Sequence, residues 1–178
     1  MNITIFGWKR EKLTKLLDEC ELISYNLSKE GNNIYTGGGG GFMKAGNKGA
    51  FKYNPNQSNA ISVKTIYGKE GKENNYYYND RFELENTMKE RKFKLFNNKD
   101  LYIYFPGGIG TLDEFMDLMN LFKTKELDSK PVILYGRKYW SSLVNWFDLN
   151  NMNFPHEYIT SIVDNTEEFF SVYNNLKI

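Results

Sequence analysis

Residues 105–114 read Phe-Pro-Gly-Gly-Ile-Gly-Thr-Leu-Asp-Glu and connect a short apolar strand to a helix. The strand is the run Leu-Tyr-Ile-Tyr-Phe, and the residues after Thr111 place apolar side chains at helical spacing. Glycine lets the backbone approach an anion closely, and a helix N-terminus offers free N–H groups and a positive dipole end. Three glycines, a proline, a threonine and a carboxylate at fixed spacing are more specific than a tight turn requires. The stretch therefore predicts a strand–loop–helix junction that holds a phosphate group.

Strands and helices alternate along the rest of the chain. The patterns predict strands at residues 3–6, 33–36, 60–66, 101–105, 131–135 and 159–163. They predict helices at residues 11–30, 42–51, 82–97, 139–150 and 166–176, with Thr166 as an N-cap, and a polar loop at residues 67–80. This alternation is typical of a Rossmann-like, three-layer α/β/α fold with a mainly parallel sheet. With no repeat and no linker in the pattern, we expect residues 1–178 to form a single domain.

Composition excludes several classes of protein. The 178 residues carry a formal net charge of +1, so we expect no nucleic-acid partner. Cys20 is the single cysteine and falls in a helical apolar pattern, which indicates a buried structural thiol. His156 is the single histidine, so the sequence shows no metal site, and we expect no cofactor. No apolar run approaches the ~18 residues of a membrane span. Met1 leads straight into a strand, without a signal peptide, so we expect a cytoplasmic location.

A second glycine-rich loop follows the second predicted strand. Residues 35–43 read Tyr-Thr-Gly-Gly-Gly-Gly-Gly-Phe-Met, and a helix is predicted to follow. A tight turn needs only one or two glycines, so five in a row favour a nucleotide site over a turn alone. Neither glycine loop is followed by Gly-Lys-Ser or Gly-Lys-Thr, which excludes a P-loop. In an open parallel sheet, both loops lie at the carboxyl ends of strands, where ligands bind.

Three side chains near the loops have two interpretations each. Thr111 can cap its helix and can donate to a phosphate oxygen. Glu114, three residues later, is either a capping-box acid or a carboxylate that faces a sugar. In the second case it could stabilise the oxocarbenium-like charge that forms when a glycosidic bond breaks. Arg91, with Lys92, lies either on a solvated helix face or at a site that needs the planar guanidinium fork, since arginine is scarce in this chain.

These motifs resemble those of one known family. Pro-Gly-Gly-Ile-Gly-Thr-Leu-Asp-Glu at residues 106–114 matches the Pro-Gly-Gly-x-Gly-Thr-x-x-Glu signature of the LOG ("Lonely guy") family, often labelled lysine decarboxylases. Met88-x-x-Arg91-Lys92 resembles its Met-x-x-Arg-Lys motif, and residues 35–43 resemble its Gly-Gly-Gly-x-x-Gly-Leu-Met loop. The resemblance covers most of the chain, from about Ile3 to Phe170.

The resemblance implies an enzyme, a substrate and site residues. It implies a homodimeric phosphoribohydrolase that cleaves nucleoside 5′-monophosphates, typically the N6-modified adenosine monophosphates that yield cytokinins, to free base and ribose 5-phosphate. Arg91 and Glu114 would be the catalytic pair. The implied substrate-binding residues lie in the two glycine loops, in the polar loop and beside Arg91: Gly38, Gly39, Glu70, Asn74, Lys92, Gly107, Gly108, Gly110 and Thr111.

The chain also departs from the family pattern. Trp8 stands where relatives often have a small Gly-Ser segment, so the base site is expected to differ more than the phosphate site. The alternative function is a non-catalytic nucleotide- or cofactor-binding protein of the same fold, for example a molybdenum-cofactor carrier. Such a carrier has no need for both Arg91 and Glu114. An amino-acid decarboxylase is excluded, because no pyridoxal-phosphate lysine site is visible in so short a chain.

Overall fold

One parallel sheet organises the molecule. The computed structural model describes residues 1–10, 12–70, 77 and 81–176. Within them, seven strands pair in the order β4-β3-β2-β1-β5-β6-β7, and every neighbouring pair is parallel. The strands are β1 (Asn2–Phe6), β2 (Asn33–Thr36), β3 (Ser58–Val63), β4 (Phe82–Glu85), β5 (Leu101–Tyr104), β6 (Val132–Tyr135) and β7 (Ser161–Val163). The predicted fold class, a three-layer α/β fold with a parallel sheet, is confirmed.

Helices connect successive strands and cover both faces of the sheet. The helices are α1 (Thr14–Lys29), α2 (Phe42–Tyr53), α3 (Lys64–Glu70), α4 (Met88–Phe96), α5 (Ile109–Thr124), α6 (Arg137–Leu149) and α7 (Thr166–Asn175). Helices α1, α2 and α7 pack on one face, where Cys20 is fully buried as predicted. Helices α4, α5 and α6 pack on the other face around Phe115 and Trp140. The apolar side chains of central strands therefore point into two separate cores, as a doubly covered parallel sheet requires.

The strand order reverses beside β1. The chain proceeds from β1 outwards to β4 and then returns to place β5 against the other edge of β1. Such a reversal leaves a crevice outside the carboxyl ends of the two strands where connections diverge. The ends of β2 and β5 lead into glycine-rich segments, and Gly7 follows the end of β1. This crevice is therefore the position that the fold offers to a ligand.

Four local predictions were wrong. The predicted helix over residues 82–97 is divided, because Phe-Glu-Leu-Glu alternates with the period of a strand and pairs with β3 as β4. Residues 64–70 form α3, so the observed strand ends at Val63, before the predicted end at residue 66. The predicted loop, which starts at residue 67, begins too early for the same reason. The remainder of that loop, apart from Tyr77, lies outside the described residues.

Asn165, rather than Thr166, caps α7, since its side chain accepts a hydrogen bond from the Glu168 amide at 2.9 Å. The fourth error concerns Thr111 and is described with the site.

Candidate functional site

The segment after β1 joins the two glycine-rich loops. The Trp8 amide donates to the Pro106 carbonyl at 3.0 Å, and the Trp8 carbonyl accepts from the Phe42 amide at 3.0 Å. Gly41, the N-cap of α2, has a φ of +59°, and a Cβ there would overlap the backbone of Trp8 and Lys9. These contacts bring the N-termini of α2 and α5 to one crevice.

A cavity of about 300 Å³ lies in this crevice. Its walls are the ends of β1, β2 and β3, together with α3, α4 and the starts of α2 and α5. The lining residues are Gly7, Trp8, Lys9, Gly37, Gly38, Gly39, Met43, Ser62, Ile66, Met88, Arg91, Gly108, Ile109, Gly110, Thr111 and Glu114. The lining combines glycines and the start of α5 with the apolar side chains of Met43, Ile66 and Met88. A ligand with an anionic group and a flat apolar group fits such a lining.

The first turn of α5 faces the cavity without a side-chain cap. The helix begins at Ile109, with Gly108 as its N-cap, and no side chain among the described residues hydrogen-bonds there. The prediction that Thr111 caps the helix is therefore wrong, because Thr111 already lies inside the first turn. The free N–H groups of this turn and the helix dipole favour an anion. Of the predicted phosphate residues, Gly108, Gly110 and Thr111 line the cavity.

Gly107 packs against the first turn of α5 through the side chain of Thr111. It does not line the cavity, but a Cβ at this position would overlap the side chain of Thr111. The Gly107 carbonyl accepts a hydrogen bond from the Tyr139 hydroxyl at 2.7 Å, which ties the loop to α6. Gly107 thus lets Thr111 pack against the loop, and Thr111 is only 5% exposed.

Arg91 and Glu114 form a buried ion pair at the cavity wall. Nη1 of Arg91 lies 2.7 Å from Oε1 of Glu114, and Nε of Arg91 donates to the Ile61 carbonyl at 3.2 Å. The exposed fractions are 8% for Arg91 and 7% for Glu114. The solvated-face interpretation of Arg91 is therefore wrong, and so is the capping-box interpretation of Glu114, whose carboxylate reaches Arg91 rather than the helix start.

Local structure fixes where both side chains point. Thr87 and Glu90 form a capping box at the start of α4, with Thr87 Oγ1 accepting from the Glu90 amide at 3.2 Å. Arg91 follows directly, so the cap sets the direction in which its side chain leaves the helix. On α5, the Glu114 carbonyl accepts a hydrogen bond from the buried Tyr104 hydroxyl at 3.2 Å. Tyr104 thereby ties this turn of α5 to strand β5.

Burial and the neighbouring arginine act on Glu114 in opposite directions. Burial raises the pKa of Glu114, and the Arg91 guanidinium offsets part of that rise. Asp113 adds to the rise and Lys92 opposes it. The net direction is upwards, so this carboxyl is easier to protonate than an ordinary glutamate. Such perturbed carboxyls in a cleft are candidates for proton transfer or charge stabilisation.

Besides Gly107, Lys92 is a predicted substrate-binding residue that does not line the cavity, and two more, Glu70 and Asn74, lie partly or wholly outside the described residues. Lys92 is absent from the lining and pairs instead with Asp113 at 3.2 Å and with Asp117 at 2.7 Å. Burial lowers the pKa of Lys92, but these two carboxylates outweigh burial and raise it overall. Glu70 is the last residue of α3, and its side chain lies outside the described part of the chain, as does the whole of Asn74.

Comparison with known proteins gives the family. The model of a family described as "possible lysine decarboxylase" matches residues 43–174, which is well over half of the chain. The chain belongs to this family. It is the LOG family whose motifs the sequence resembles. The match includes α4, α5 and therefore both members of the buried ion pair.

Solved structures share the fold of this LOG-family chain. The structural-genomics protein TM1055 superposes with a TM-score of 0.68 at 18% identity, covering 98% of each chain. A molybdenum cofactor binding protein from Rippkaea orientalis gives 0.66 at 18% identity, covering 99% of this chain and 97% of the other. The molybdenum cofactor carrier protein of Chlamydomonas reinhardtii gives 0.67 at 16% identity, covering 98% and 96%. Among curated proteins, none matches the sequence.

Trp8 forms part of the cavity wall in this LOG-family chain. Trp8 lines the cavity as a full indole, and Arg10 stacks over its ring at 4.9 Å from the centroid. A Cβ on Gly108 would lie 3.9 Å from Nε1 of Trp8, so the indole N–H edge is near the start of α5. The lining residues that the sequence did not predict include Gly37, Met43, Ser62 and Ile66, because only the packing of the ends of β2 and β3 with α2 and α3 brings them to the cavity. No cluster of metal-ligating side chains and no helix able to cross a membrane occurs among the described residues.

Proposed function

We propose that this protein is a phosphoribohydrolase that cleaves nucleoside 5′-monophosphates to a free base and ribose 5-phosphate. Purine nucleotides, including N6-modified adenosine monophosphates, are the proposed substrates. The observation that carries the proposal is the buried Arg91–Glu114 pair on the wall of a cavity that also contains the uncapped start of α5. An ion pair kept out of water is expensive to maintain, so its presence beside an anion site favours chemistry over simple binding.

In this proposal, the spacing of residues along α5 sets the order in which the parts of the substrate lie. Glu114 lies five residues beyond Ile109, the first residue of the helix, which is about 8 Å along the axis. With the 5′-phosphate on the N–H groups of the first turn, the ribose extends down the cavity wall towards Glu114. The base would then lie against the apolar side chains that line the cavity, which include Met43, Ile66 and Met88. This arrangement places the carboxylate at the sugar and away from the phosphate, where two negative charges would repel each other.

The reaction follows from that placement. The bond between C1′ and the base nitrogen breaks, its electron pair leaves with the base, and positive charge develops on the sugar. The Glu114 carboxylate stabilises that charge and accepts a proton from the water that attacks C1′. Glu114 passes that proton on to the departing base, directly or through water, so the products are the free base and ribose 5-phosphate and the carboxylate is regenerated. Arg91 holds the carboxylate in place and keeps part of it ionised by lowering its pKa.

A non-catalytic binding function is the second candidate. The similar solved structures include proteins named as molybdenum cofactor binding or carrier proteins, and an uncapped helix terminus binds an anion whether or not a reaction follows. The Arg91–Glu114 pair is what distinguishes the two candidates. A carrier needs donors for its ligand and has no use for a carboxylate held beside them.

Product analysis separates the two functions. The purified protein is incubated with AMP, N6-isopentenyl-AMP and the other nucleoside 5′-monophosphates, and free base and ribose 5-phosphate are measured by chromatography. Adenosine is the matched substrate control because it lacks the phosphate, and Glu114→Gln is the matched protein control. We expect base release from at least one monophosphate and none from adenosine. Binding of a monophosphate without release of base, at verified folding, would support the carrier function instead.

The proposal includes a homodimer in the cytoplasm, as in the family that the motifs resemble. Sedimentation equilibrium of the purified protein tests the dimer independently of activity. A monomer at micromolar concentration would contradict that part of the proposal and leave the proposed reaction in place.

A further inference from the structure

We propose that Gly37 is a positioning residue: its missing side chain leaves the space in which the Arg91 guanidinium meets Glu114. The geometric part of this inference is independent of the reaction, and its catalytic part rests on the proposed function. Gly37 follows directly after β2, and it lines the same cavity as Arg91 and Glu114. The sequence shows it only as one of five consecutive glycines.

The backbone of Gly37 lies close to the guanidinium group of Arg91. A Cβ built on Gly37 would overlap Nη2 of Arg91 and would lie 3.0 Å from its Cζ. The same Cβ would also lie 3.0 Å from the Met43 sulfur, which is the flexible part of a side chain that can move aside. The guanidinium cannot yield in the same way, because Nε is bonded to the Ile61 carbonyl and Nη1 to Glu114.

Backbone conformation does not explain why position 37 is a glycine. Gly38 and Gly41 have φ angles of +72° and +59°, in the left-handed region where a side chain is strained. Gly37 is not among the positive-φ glycines, so another residue could adopt its backbone conformation. The requirement for glycine at position 37 therefore comes from the space that Arg91 occupies.

The guanidinium is thus located by three neighbours. The Ile61 carbonyl, the Glu114 carboxylate and the Gly37 backbone surround it, and the side chain is only 8% exposed. A methyl group on Gly37 would have to displace the guanidinium, and the buried surroundings offer it little room. The displaced arginine would lose its contact with Glu114, and the carboxylate would lose the charge that holds it at the sugar.

A double-mutant cycle on stability tests the geometry without any assay of activity. Gly37→Ala, Arg91→Ala and the double variant are compared by thermal unfolding. We expect Gly37→Ala to lower Tm by about 5 °C or more in the wild-type background. In the Arg91→Ala background the same substitution should change Tm by less than about 2 °C, because the overlap is gone.

Gly46→Ala in α2 is the matched control. A Cβ there would touch Ile5, Thr36 and Ser24 and not Arg91, so its effect on Tm should be equal in both backgrounds. An equal loss of Tm from Gly37→Ala in both backgrounds, or no loss in the wild type, would overturn the inference. If Gly37→Ala alone fails to fold, folding of the double variant supports the inference and its failure overturns it.

Kinetics test the positioning role where the wild type releases base. Gly37→Ala should lower kcat about as much as Arg91→Ala, and the double variant should lose no more than about threefold beyond either. The KM for the nucleotide should stay within about threefold, because the first turn of α5 is unchanged. A loss confined to KM, or full additivity of the two losses in kcat, would overturn the role. Absence of base release from the wild type contradicts the proposed function, while the Tm cycle still decides the geometry.

Discussion

Nη1 of Arg91 and Oε1 of Glu114 lie 2.7 Å apart, and both side chains are more than nine-tenths buried. The two residues come from different helices that cover one face of the sheet. Each is the other's main electrostatic partner, so removing one leaves an uncompensated charge in a buried place. This relationship leads to predictions about rate, pH dependence and stability.

Replacing either member of the pair should reduce catalysis without changing the fold. Glu114→Gln keeps the shape of the side chain and removes its charge, and Arg91→Ala removes the guanidinium. We expect each to lower kcat/KM for nucleotide hydrolysis by at least about 100-fold, the scale of a lost charged group in a transition state. Circular dichroism checks the fold of each variant. Wild-type rates in both variants would refute the proposed mechanism.

Activity should fall on the acid side with a midpoint above the ordinary glutamate pKa. Burial raises the pKa of Glu114 and Arg91 offsets that rise, while Asp113, Lys92 and Tyr104 also lie near it. The reaction needs the ionised carboxylate, so the rate is lost as pH falls through the raised pKa. Arg91→Lys should keep part of the offset, whereas Arg91→Ala should move the acid limb of its residual kcat/KM to higher pH. An acid limb that stays in place in both variants would show that another group titrates.

Stability should respond to the pair as a unit. Arg91→Met leaves a buried carboxylate and should cost about 3–5 kcal/mol at neutral pH. The cost should shrink at low pH, because the Glu114 carboxyl is then protonated and no longer leaves a buried charge. A carboxyl whose pKa is raised in the folded state adds stability below its unfolded pKa, and that stability is lost as pH rises through the folded pKa. The double variant Arg91→Met/Glu114→Leu should be more stable than Arg91→Met. Urea unfolding at several pH values measures this, and a double variant no more stable than Arg91→Met would contradict it.

Thr111 should contribute to phosphate binding and to little else. Thr111→Val keeps the shape that packs over Gly107 and removes the hydroxyl. A hydrogen bond to a charged group contributes about 1.5–3 kcal/mol, so the Kd for ribose 5-phosphate should rise about 10–100-fold. Binding of adenosine should change less than about threefold. Calorimetric titration with both ligands decides the matter, and equal weakening of both would place the phosphate elsewhere.

Trp8 should report ligand binding by its fluorescence. Its indole lines the cavity, whereas Trp140 is fully buried against Tyr104 and Trp146 is 52% exposed on α6. Adding AMP should therefore change the emission of the wild type and of Trp146→Phe. The change should be lost in Trp8→Phe. A change that persists in Trp8→Phe would show that the nucleotide binds away from this wall.

The sequence predicted local structure correctly where the residues that determine it lie close together in the chain. The junction at residues 105–114 predicted a strand, a loop and a helix N-terminus, and all three are present. The division of residues 82–97 was missed, although Phe-Glu-Leu-Glu alternates and Thr87 with Glu90 forms a capping box. The charged stretch that follows continues the polar character of β4 into α4, which hid the boundary. The pairing of β4 with β3 is what makes residues 82–85 a strand separate from α4.

The sequence by itself determined the alternating α/β order, the glycine-rich start of α5 and the identity of the two central motifs. Each depends on neighbouring residues, whose spacing fixes strand ends, helix starts and close backbone approach. Only the tertiary structure decided that Arg91 meets Glu114, that Lys92 turns to Asp113 and Asp117, and that Gly37 leaves space for a guanidinium 54 positions along the chain. Those contacts depend on how α4 and α5 pack on one face of the sheet beside the end of β2. Packing between distant segments is fixed by the whole fold, and no local pattern contains it.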